Sequence, residues 1–394
     1  MKESGKRDHC YDVLVVGGGM VGTSTALFAS ERGLSVGLVE AATLGQGTSN
    51  NSFAWINATS KTTDEDYHRL NAMGAAGYRK LCARWGEARI GVYPTGMLQW
   101  AAPNDQVTRN ALEARFERLQ TWGYPSALVS HSDLVAMEPH VRFAEGAVGL
   151  HAIADAWLDV PTFIGFAAER IIELGGSVLT ETSADQLILD DDGRILGLET
   201  SAGRLLGRQV VIAGGPGTPT VLAAVTGYEP FETRFPMNQA AGLLVRTPPV
   251  SPFRFARHIL YSDEANAVHV RPTPDGGLLL GADDTDGAAS SPEDEAGIRA
   301  AATILLERAH ALMPEFPGTT LLDACELKIG VRPMPADGHT IAGPMPGSPG
   351  LFVACTHSGV TLSPALGALL AEELETGQRP AQLDRFGFDR FQSV

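Results

Sequence analysis

The chain has 394 residues, enough for the cores of about two or three domains. Hydrophobic residues make up 44% of it and the mean hydropathy is close to zero, as in a water-soluble globular protein. With 30 Lys and Arg against 46 Asp and Glu, the formal charge is −16, which disfavours nucleic acid and anionic membrane surfaces as partners. The four cysteines form no CxxC pair or Cys/His cluster, so we expect reduced thiols, a cytoplasmic location and no metal site.

The first residues of the sequence are not expected to form a signal peptide. Residues 1–10 are polar and are expected to form a disordered tail, because they lack the apolar segment of a signal peptide. The apolar run at 13–29 contains glycines and is interpreted as a strand followed by a helix. Since no other segment is long enough to cross a bilayer, we expect no membrane span.

The strongest local pattern has the order strand, glycine turn, helix, strand. An apolar run at Val13–Val16 predicts a buried strand, which leads directly into Gly17-x-Gly19-x-x-Gly22. A helical stretch follows at Thr23–Arg32, and a second apolar segment, Ser35–Val39, ends at Glu40. This arrangement predicts a β-α-β unit that binds a dinucleotide.

The residues of this motif each have a physical role. Gly17 permits the tight turn, Gly19 lets the backbone approach a pyrophosphate, and Gly22 lets the helix pack closely on the strand. The helix N-terminus supplies N–H groups and a positive dipole end for the phosphates. Glu40 can accept hydrogen bonds from ribose hydroxyls. An acid here suits NAD and FAD and argues against NADP, so the motif alone leaves NAD and FAD open.

Further elements follow in chain order. Amphipathic helices are predicted at 64–85 and 106–122, with a strand pair or hairpin between them at Val92–Trp100. Another helix is predicted from about Pro161 to Leu174. Strands are then predicted at Ser177–Glu181, Ala184–Leu189, Ile195–Thr200 and Arg204–Leu206, and from Val210 into a run of glycines.

The last part of the chain combines strands and helices. Residues 230–290 are predicted to be all-β, with strands at Ala241–Arg246, Val268–Arg271 and Leu278–Gly281. A helix at 292–312, a strand at Leu351–Cys355 and a helix from about Thr361 to Glu375 complete the pattern. The alternation of nucleotide-binding and β-rich blocks predicts two interleaved domains.

Three more motifs accompany the glycine motif and Glu40. They are the Gly47-Thr-Ser-Asn-Asn51 loop, the strand end Ala213-Gly-Gly215, and Gly330-Val-Arg-Pro-Met-Pro-Ala-Asp337-Gly followed by Thr356-His-Ser-Gly359. With these motifs the chain resembles the D-amino-acid oxidase superfamily of FAD-dependent oxidoreductases, which includes glycine oxidase, sarcosine oxidase and D-amino-acid dehydrogenase. The resemblance covers roughly residues 11–385.

The resemblance implies an α/β fold with two interleaved domains. One is a Rossmann-like FAD-binding domain of the glutathione-reductase type, expected at 11–90, 150–225 and 326–394. The other is a substrate domain of an antiparallel β-sheet plus helices, expected at 91–149 and 226–325.

The resemblance also favours FAD over NAD and implies which residues contact it. N–H groups at the start of the C-terminal helix would face the flavin, whose negative charge when reduced the helix dipole would stabilise. The expected contacts are Gly17, Gly19, Met20, Val21, Gly22, Glu40, Ala41, Gly47, Thr48, Ser49, Asn50, Asn51, Ala184, Ala213, Gly214, Gly215, Arg332, Gly359, Val360, Thr361 and Leu362. Sarcosine oxidases attach flavin through a cysteine, but Cys325 lies several residues too early, so we expect non-covalent FAD.

Arg332 is the leading candidate for substrate binding. In amino-acid-oxidising members with this motif, such an arginine pairs with the substrate carboxylate and orients the Cα–H bond. A salt bridge to Asp337 or Glu326 is the alternative role. His357 could face the substrate side of the flavin, or it could simply be satisfied near a helix start.

Two more candidates lie on one predicted strand. His269 and Arg271 alternate along it and so share a face, which in the family contributes to the substrate cavity. The alternative is a solvated face of a sheet. Trp55, Tyr93 and Trp100 are candidate cavity aromatics, with core packing as the default interpretation.

The resemblance implies an enzyme that oxidises the C–N bond of an amino acid or a related primary or secondary amine that carries a carboxylate. Hydride transfer to flavin N5 would give an imine that hydrolyses. O2 or another acceptor would take up the electrons. Three alternatives stay open: a dehydrogenase of the same substrates with a quinone or protein acceptor, a 2-hydroxy-acid oxidase, and an NAD-dependent dehydrogenase. The oligomeric state is also open, with a homo-oligomer as one option.

Overall fold

The chain folds into two compact units. The computed structural model describes residues 10–227, 235–250, 255–262 and 267–391. Unit 1 comprises the described residues of 1–49, 164–239 and 332–394, and unit 2 those of 50–163 and 240–331. The predicted disordered tail lies outside the described residues, except for Cys10, which begins the first strand.

Helices are interspersed among the strands in the described part of the chain. The helices are α1 (Met20–Glu31), α2 (Glu65–Trp85), α3 (Glu87–Ile90), α4 (Gln106–Thr121), α5 (His131–Met137), α6 (Val160–Glu173), α7 (Thr218–Thr226), α8 (Glu295–Leu312) and α9 (Gly359–Thr376). Strands β1 to β9 are Cys10–Val16, Val36–Val39, Trp55–Ile56, Val92–Tyr93, Met97–Ala101, Ala127–Val129, Val148–Ala152, Ala156–Leu158 and Ser177–Leu179. Strands β10 to β19 are Ala184–Leu189, Ile195–Thr200, Gly203–Ile212, Met237–Arg246, Ile259–Tyr261, His269–Pro272, Leu278–Gly281, Glu326–Pro335, Ile341–Pro344 and Leu351–Cys355. Single 3-10 turns lie at Gly215–Gly217, Asp283–Ser290, Gly318–Ala324, Ala381–Phe386 and Phe388–Phe391.

Unit 1 is built on a sheet in the order β10-β11-β12-β1-β2-β9, with β19 beside β12 and β18 beside β19. The pairs β12-β1, β1-β2, β2-β9 and β12-β19 are parallel, whereas β10, β11 and β12 form an antiparallel meander. Because β1 is buried on both faces, it is almost continuously apolar. Its connection through α1 to the parallel strand β2 is the predicted β-α-β unit.

Helices α1 and α9 pack closely against each other. A Cβ at Gly367 of α9 would lie 2.8 Å from the backbone oxygen of Ser24 in α1. A side chain at position 367 would therefore separate the two helices.

Unit 2 contains most of a sheet in the order β17-β13-β16-β15-β14-β5-β7-β6, in which β14 and β5 are parallel. A small sheet, β3-β8-β4, lies in the same unit. Leu98, Val270, Leu280, Leu305 and Phe316 belong to its largest buried cluster.

Several expectations from the sequence need correction. Two strands lie where a strand pair or hairpin was predicted at Val92–Trp100, but they do not pair with each other: β4 pairs with β8, and β5 pairs with β7 and β14. The strands predicted at Arg204 and at Val210 form one continuous strand, β12, which pairs with β11 at its start and with β1 and β19 further along. Strands β3, β6, β7, β8, β17 and β18 were not predicted, and β14 was predicted only as part of the all-β block at 230–290.

The expected domain boundaries also differ from the two units. Residues 50–90 and 150–163 fall in unit 2, and one reason is that β3 and β4 both pair with β8. No helix within the described ranges is long and apolar enough to span a membrane.

Candidate active site

The glycine turn between β1 and α1 has no room for side chains. Gly17 adopts φ +114°, and a Cβ there would lie 2.4 Å from the backbone oxygen of Ala213. A Cβ at Gly22 would lie 1.9 Å from the backbone oxygen of Gly17 and 3.2 Å from the Ala213 side chain. These contacts explain two of the predicted glycine roles: Gly17 permits the tight turn, and Gly22 permits close packing of the helix. Ala213-Gly214, just after β12, lies beside the turn.

Glu40 folds back onto the same turn. Its Oε2 accepts a hydrogen bond from the backbone N of Gly18 at 2.6 Å, and its Oε1 accepts one from the N of Ala42 at 2.8 Å. A carboxylate oxygen has two lone pairs, so each oxygen can still accept a ribose hydroxyl.

Residues just before β10 are hydrogen-bonded to the backbone of Glu40 and Ala42. The backbone N of Thr182 donates to the oxygen of Glu40 at 2.9 Å, and the N of Glu181 donates to that of Ala42 at 3.1 Å. Glu181 has φ +52°, a conformation that costs free energy in a residue with a side chain. Ala184 follows as the first residue of β10, so the predicted adenine contact lies close in sequence to residues bonded to Glu40 and Ala42.

The loop after β2 reaches the N-terminus of α1. Ser49 Oγ accepts a hydrogen bond from the backbone N of Met20 at 3.1 Å, and a Cβ at Gly19 would lie 3.0 Å from the same oxygen. Asn50 Oδ1 is buried and has no hydrogen-bond partner among the residues described. Asn50 and Asn51 already belong to unit 2, where Gly330 makes room for the backbone oxygen of Asn51.

Two helix N-termini meet in unit 1. Helix α9 begins at Gly359, and a Cβ at that position would lie 3.5 Å from Val21 Cγ2 in the first turn of α1. The positive ends of two helix dipoles are therefore adjacent. Such a pair suits a ligand that carries a diphosphate and a second site of negative charge.

These residues fit FAD. The glycines keep side chains away from the turn at the start of α1, where a pyrophosphate would bind, Glu40 retains acceptors for a ribose, and Gly359–Leu362 form the first turn of α9.

The predicted substrate residues of unit 1 lie on β17 and just before α9. Arg332 is half-buried on β17. Of the carboxylates considered as its partners, Asp337 binds Arg390 at 2.7 Å, and Glu326 lies 3.3 Å from Lys328 Nζ. His357 is half-buried, with its Nδ1 3.1 Å from Ser358 Oγ.

Strand β15 brings His269 and Arg271 to one aromatic cluster in unit 2. Arg271 is only 8% exposed, and its guanidinium donates to the backbone oxygens of Phe53 and Pro272 and lies 5.0 Å from the Trp157 ring centre. Burial lowers the pKa of Arg271 to about 10. The His269 ring stacks on Tyr261 with 4.1 Å between ring centres. Because Arg271 is buried, a solvated sheet face does not describe this strand.

The aromatic candidates separate into two groups. Trp100 is buried in the main cluster of unit 2 and packs edge-on against Phe143, so it is a core residue. Tyr93 stacks on Trp157 at 3.8 Å, and Trp55 lies 5.1 Å from Tyr261. Trp55, Tyr93 and Tyr261 are half-buried members of the cluster that contains Trp157.

Sequence reasoning missed a buried carboxylate beneath this cluster. Asp155 is fully buried, and its oxygens accept hydrogen bonds from Trp55 Nε1 at 2.8 Å, Thr59 Oγ1 at 2.8 Å and the Tyr124 hydroxyl at 2.7 Å. Burial raises the pKa of Asp155 to about 7, against the lowering effect of these donors. The one available signal was an aspartate inside the apolar block 150–158.

No group of three or more His, Cys, Asp or Glu side chains that could hold a metal ion occurs in the described part of the chain.

Comparisons of the sequence and of the structure with known proteins both lead to FAD-dependent oxidoreductases. The profile of a family described as "FAD dependent oxidoreductase" (DAO) matches residues 12–373. The chain is 25% identical over 391 residues to a glycine oxidase of Geobacillus kaustophilus strain HTA426, and the alignment covers 97% of each protein. The crystal structure of glycine oxidase from G. kaustophilus superposes with a TM-score of 0.77 at 23% identity, covering 96% of this chain and 98% of that one. L-proline dehydrogenase from P. horikoshii superposes with a TM-score of 0.80 at 18% identity, covering 98% of both chains. These superpositions confirm the predicted fold class.

Proposed function

Since the chain belongs to the family of FAD-dependent oxidoreductases, we propose that it oxidises the C–N bond of a carboxylate-bearing amine. The substrate is an amino acid or a related primary or secondary amine. FAD is the cofactor, and the alternative of an NAD-dependent dehydrogenase is discarded.

The observation that carries the proposal is the presence of a half-buried arginine in the unit that holds the dinucleotide site. Arg332 lies on β17 of unit 1, as do the glycine turn, Glu40 and the start of α9. A guanidinium binds a carboxylate bidentately and fixes its orientation. The glycine oxidase relative adds support, because glycine is an amine that carries a carboxylate.

Residues of this chain would hold the cofactor at both ends. Gly17, Gly19 and the N-terminus of α1 would bind the pyrophosphate, and Glu40 would bind the adenosine ribose. The first turn of α9 would stabilise negative charge on the flavin through its dipole.

The remaining roles belong to substrate binding. Arg332 would hold the substrate carboxylate, which leaves the Cα–H bond in a fixed orientation. When bound, FAD supplies the two-electron oxidation itself, so no protein nucleophile is needed. The oxidised substrate would be an imine, which water hydrolyses to an oxo product and ammonia or an amine.

An anaerobic screen tests the proposal. The purified yellow protein is mixed without oxygen with D- and L-amino acids, glycine, sarcosine, other secondary amines and matched 2-hydroxy acids, and loss of flavin absorbance is followed. Bleaching by at least one carboxylate-bearing amine supports the proposal. Bleaching by 2-hydroxy acids alone would overturn it in favour of a hydroxy-acid oxidase.

The same preparation identifies the electron acceptor. Readmission of air to the substrate-reduced protein yields hydrogen peroxide stoichiometrically if O2 is the acceptor. A flavin that stays bleached in air but recovers with a soluble quinone identifies a dehydrogenase of the same substrates.

A further inference from the structure

Two buried threonines stand behind the first turn of α9 and have no role in the function argued so far. We propose that Thr356, held by Thr340, is a positioning residue that fixes this turn for the flavin and so favours the reduced state of the cofactor. The inference rests on the role proposed above for the first turn of α9. All the residues that carry it belong to unit 1.

The two threonines meet at the end of a strand pair. Strands β18 and β19 are antiparallel, and Ile341 pairs with Cys355. Thr340 comes just before this pair and Thr356 just after it, so their side chains lie opposite each other on one face. Their Oγ1 atoms are 2.8 Å apart, and the two residues are 0% and 4% exposed. The hydroxyl pair therefore joins β18 to β19 at the point where the chain leaves for α9.

Thr356 also binds the start of α9. Its Oγ1 accepts a hydrogen bond from the backbone N of Ser358 at 3.3 Å. Ser358 is the N-cap residue of α9, and its N–H is one of the four at a helix start that no carbonyl of the helix accepts. The other three belong to Gly359, Val360 and Thr361, in the turn proposed to stabilise the flavin. The threonine pair thus links the two strands to that turn.

The side chain of Ser358 does not cap the helix. A serine at an N-cap usually accepts a hydrogen bond from the N–H of the second or third helical residue. Ser358 makes no such bond, and its Oγ lies 3.1 Å from His357 Nδ1 instead. This side chain therefore does not compete with a ligand for the N–H groups of the first turn, and Thr356 holds the helix start through the backbone N of Ser358.

Packing alone does not account for the two hydroxyls. Valine has nearly the same shape as threonine and would fill both buried positions without a polar group that needs a partner. Threonine gains over valine here only through hydrogen bonds, and these run from Thr340 through Thr356 to Ser358 N. A hydroxyl has one proton and two lone pairs, so Thr356 can bind both partners at once. The pair therefore serves the position of the helix start.

The expected effect is on the charge of the flavin. Reduction adds negative charge, which the N–H groups and the dipole of the first turn would stabilise. Hydrogen bonds weaken steeply when donor and acceptor are misaligned, and bonds to charged groups are the stronger ones. Loosening this turn should therefore weaken binding of reduced FAD more than binding of oxidised FAD. By thermodynamic linkage, the midpoint potential of the bound flavin then falls.

The test measures the midpoint potential of the flavin in the holoenzyme by spectroelectrochemical titration. The variants are Thr356→Val, Thr356→Ser, Thr340→Val, and Thr376→Val as the matched control. Thr376 Oγ1 accepts from the backbone N of Gln378 at 3.1 Å, which is the same two-residue contact at the opposite end of α9. We expect Thr356→Val to weaken binding of reduced FAD about tenfold relative to oxidised FAD, or about 30 mV in a two-electron couple. Thr356→Ser retains the hydroxyl and should keep the wild-type potential, as should Thr376→Val.

Thr340 is expected to act only through Thr356. Thr340→Val should therefore shift the potential less than Thr356→Val, and adding it to Thr356→Val should cause no further change. Additive shifts would remove Thr340 from the proposal. A general loss of stability would weaken binding of both oxidation states alike, so it would not move the potential.

The outcomes separate this inference from the proposed function. A potential that Thr356→Val leaves unchanged overturns the positioning role, and amine oxidation still stands if an amine bleaches the wild type. A potential that falls in Thr356→Val and recovers in Thr356→Ser supports the positioning role, and it does so even if no amine bleaches the flavin, in which case only the reaction is overturned. Equal shifts in Thr356→Val and Thr356→Ser would contradict a role for the hydroxyl.

Discussion

Glu40 Oε2 and the backbone N of Gly18 lie 2.6 Å apart, so the acid that ends β2 is bonded to the glycine turn that ends β1. With the second bond from Ala42 N to Oε1, the carboxylate links the glycine turn to the segment that follows β2. One side chain thus shapes the turn and, in the proposed function, supplies the acceptors for the adenosine ribose.

Replacement of Glu40 should weaken FAD binding in the folded protein. Hydrogen bonds to a charged group contribute about 1.5–3 kcal/mol each, so Glu40→Ala is expected to raise the Kd for FAD roughly tenfold or more. Fluorescence titration of the apoprotein with FAD measures this. Glu199→Ala, which removes an exposed carboxylate of unit 1 paired with Arg204, is the control. A Kd unchanged in Glu40→Ala would contradict the assignment.

Two helical glycines of unit 1 should respond in opposite directions to alanine. In Gly22→Ala the new Cβ meets the Gly17 oxygen, and the free energy of unfolding should fall by about 1–3 kcal/mol with loss of bound flavin. At Gly165 in α6 a new Cβ would meet no neighbouring atom within 4 Å, so Gly165→Ala should be neutral or stabilise by up to about 1 kcal/mol. Urea unfolding measures both. Equal effects would rule out a steric role for Gly22.

Arg332 is expected to determine recognition of the carboxylate. Loss of one partner of a desolvated charge pair costs about 2–5 kcal/mol, so Arg332→Ala should lower kcat/KM for a carboxylate-bearing amine roughly 100-fold at equal flavin content. The corresponding amine without a carboxylate should be affected much less. Arg204→Ala, at an exposed ion pair, serves as the control. An unchanged KM for every carboxylated amine would show that another residue anchors the carboxylate.

Asp155 makes stability fall as pH rises. The carboxyl has an ordinary pKa of 3.8 and a folded pKa of about 7, so between these values the folded chain holds a proton that the unfolded chain has released. The free energy of unfolding should therefore decrease by up to about 1.4 kcal/mol per pH unit from about pH 4 to pH 7, and the contribution should level off above. Denaturant titrations of the wild type and Asp155→Asn measure the difference. A wild-type slope that Asp155→Asn leaves unchanged would place the titration elsewhere.

The β1-α1-β2 unit could be predicted from the sequence, because the residues that specify it are close together along the chain. The apolar run before Gly17, the glycine spacing and Glu40 lie within one short segment, and the structure has β1, α1 and β2 there within a few residues of expectation. Strand alternation likewise predicted that His269 and Arg271 share a face, and both meet the same aromatic cluster.

What the sequence did not reveal depends on contacts between distant segments. Nothing near Trp55 indicates that its indole binds Asp155, which lies 100 residues away and is brought there as β3 pairs with β8. The continuity of β12 depends on three partner strands, and the separation of β4 from β5 depends on β8, β7 and β14. Hydrophobic periodicity reports burial of a segment but not its partner, so these pairings could not be read in advance.

The most direct test of the proposed reaction is a nitrogen balance over one anaerobic turnover. The holoenzyme is mixed without oxygen with one equivalent of the acyclic amine that bleaches it best, because a cyclic amine would keep its nitrogen after hydrolysis, and flavin reduction, oxo product, and ammonia or released amine are quantified together. We predict one oxo product and one released nitrogen compound for each flavin reduced. Flavin reduction without nitrogen release would contradict oxidation of the C–N bond.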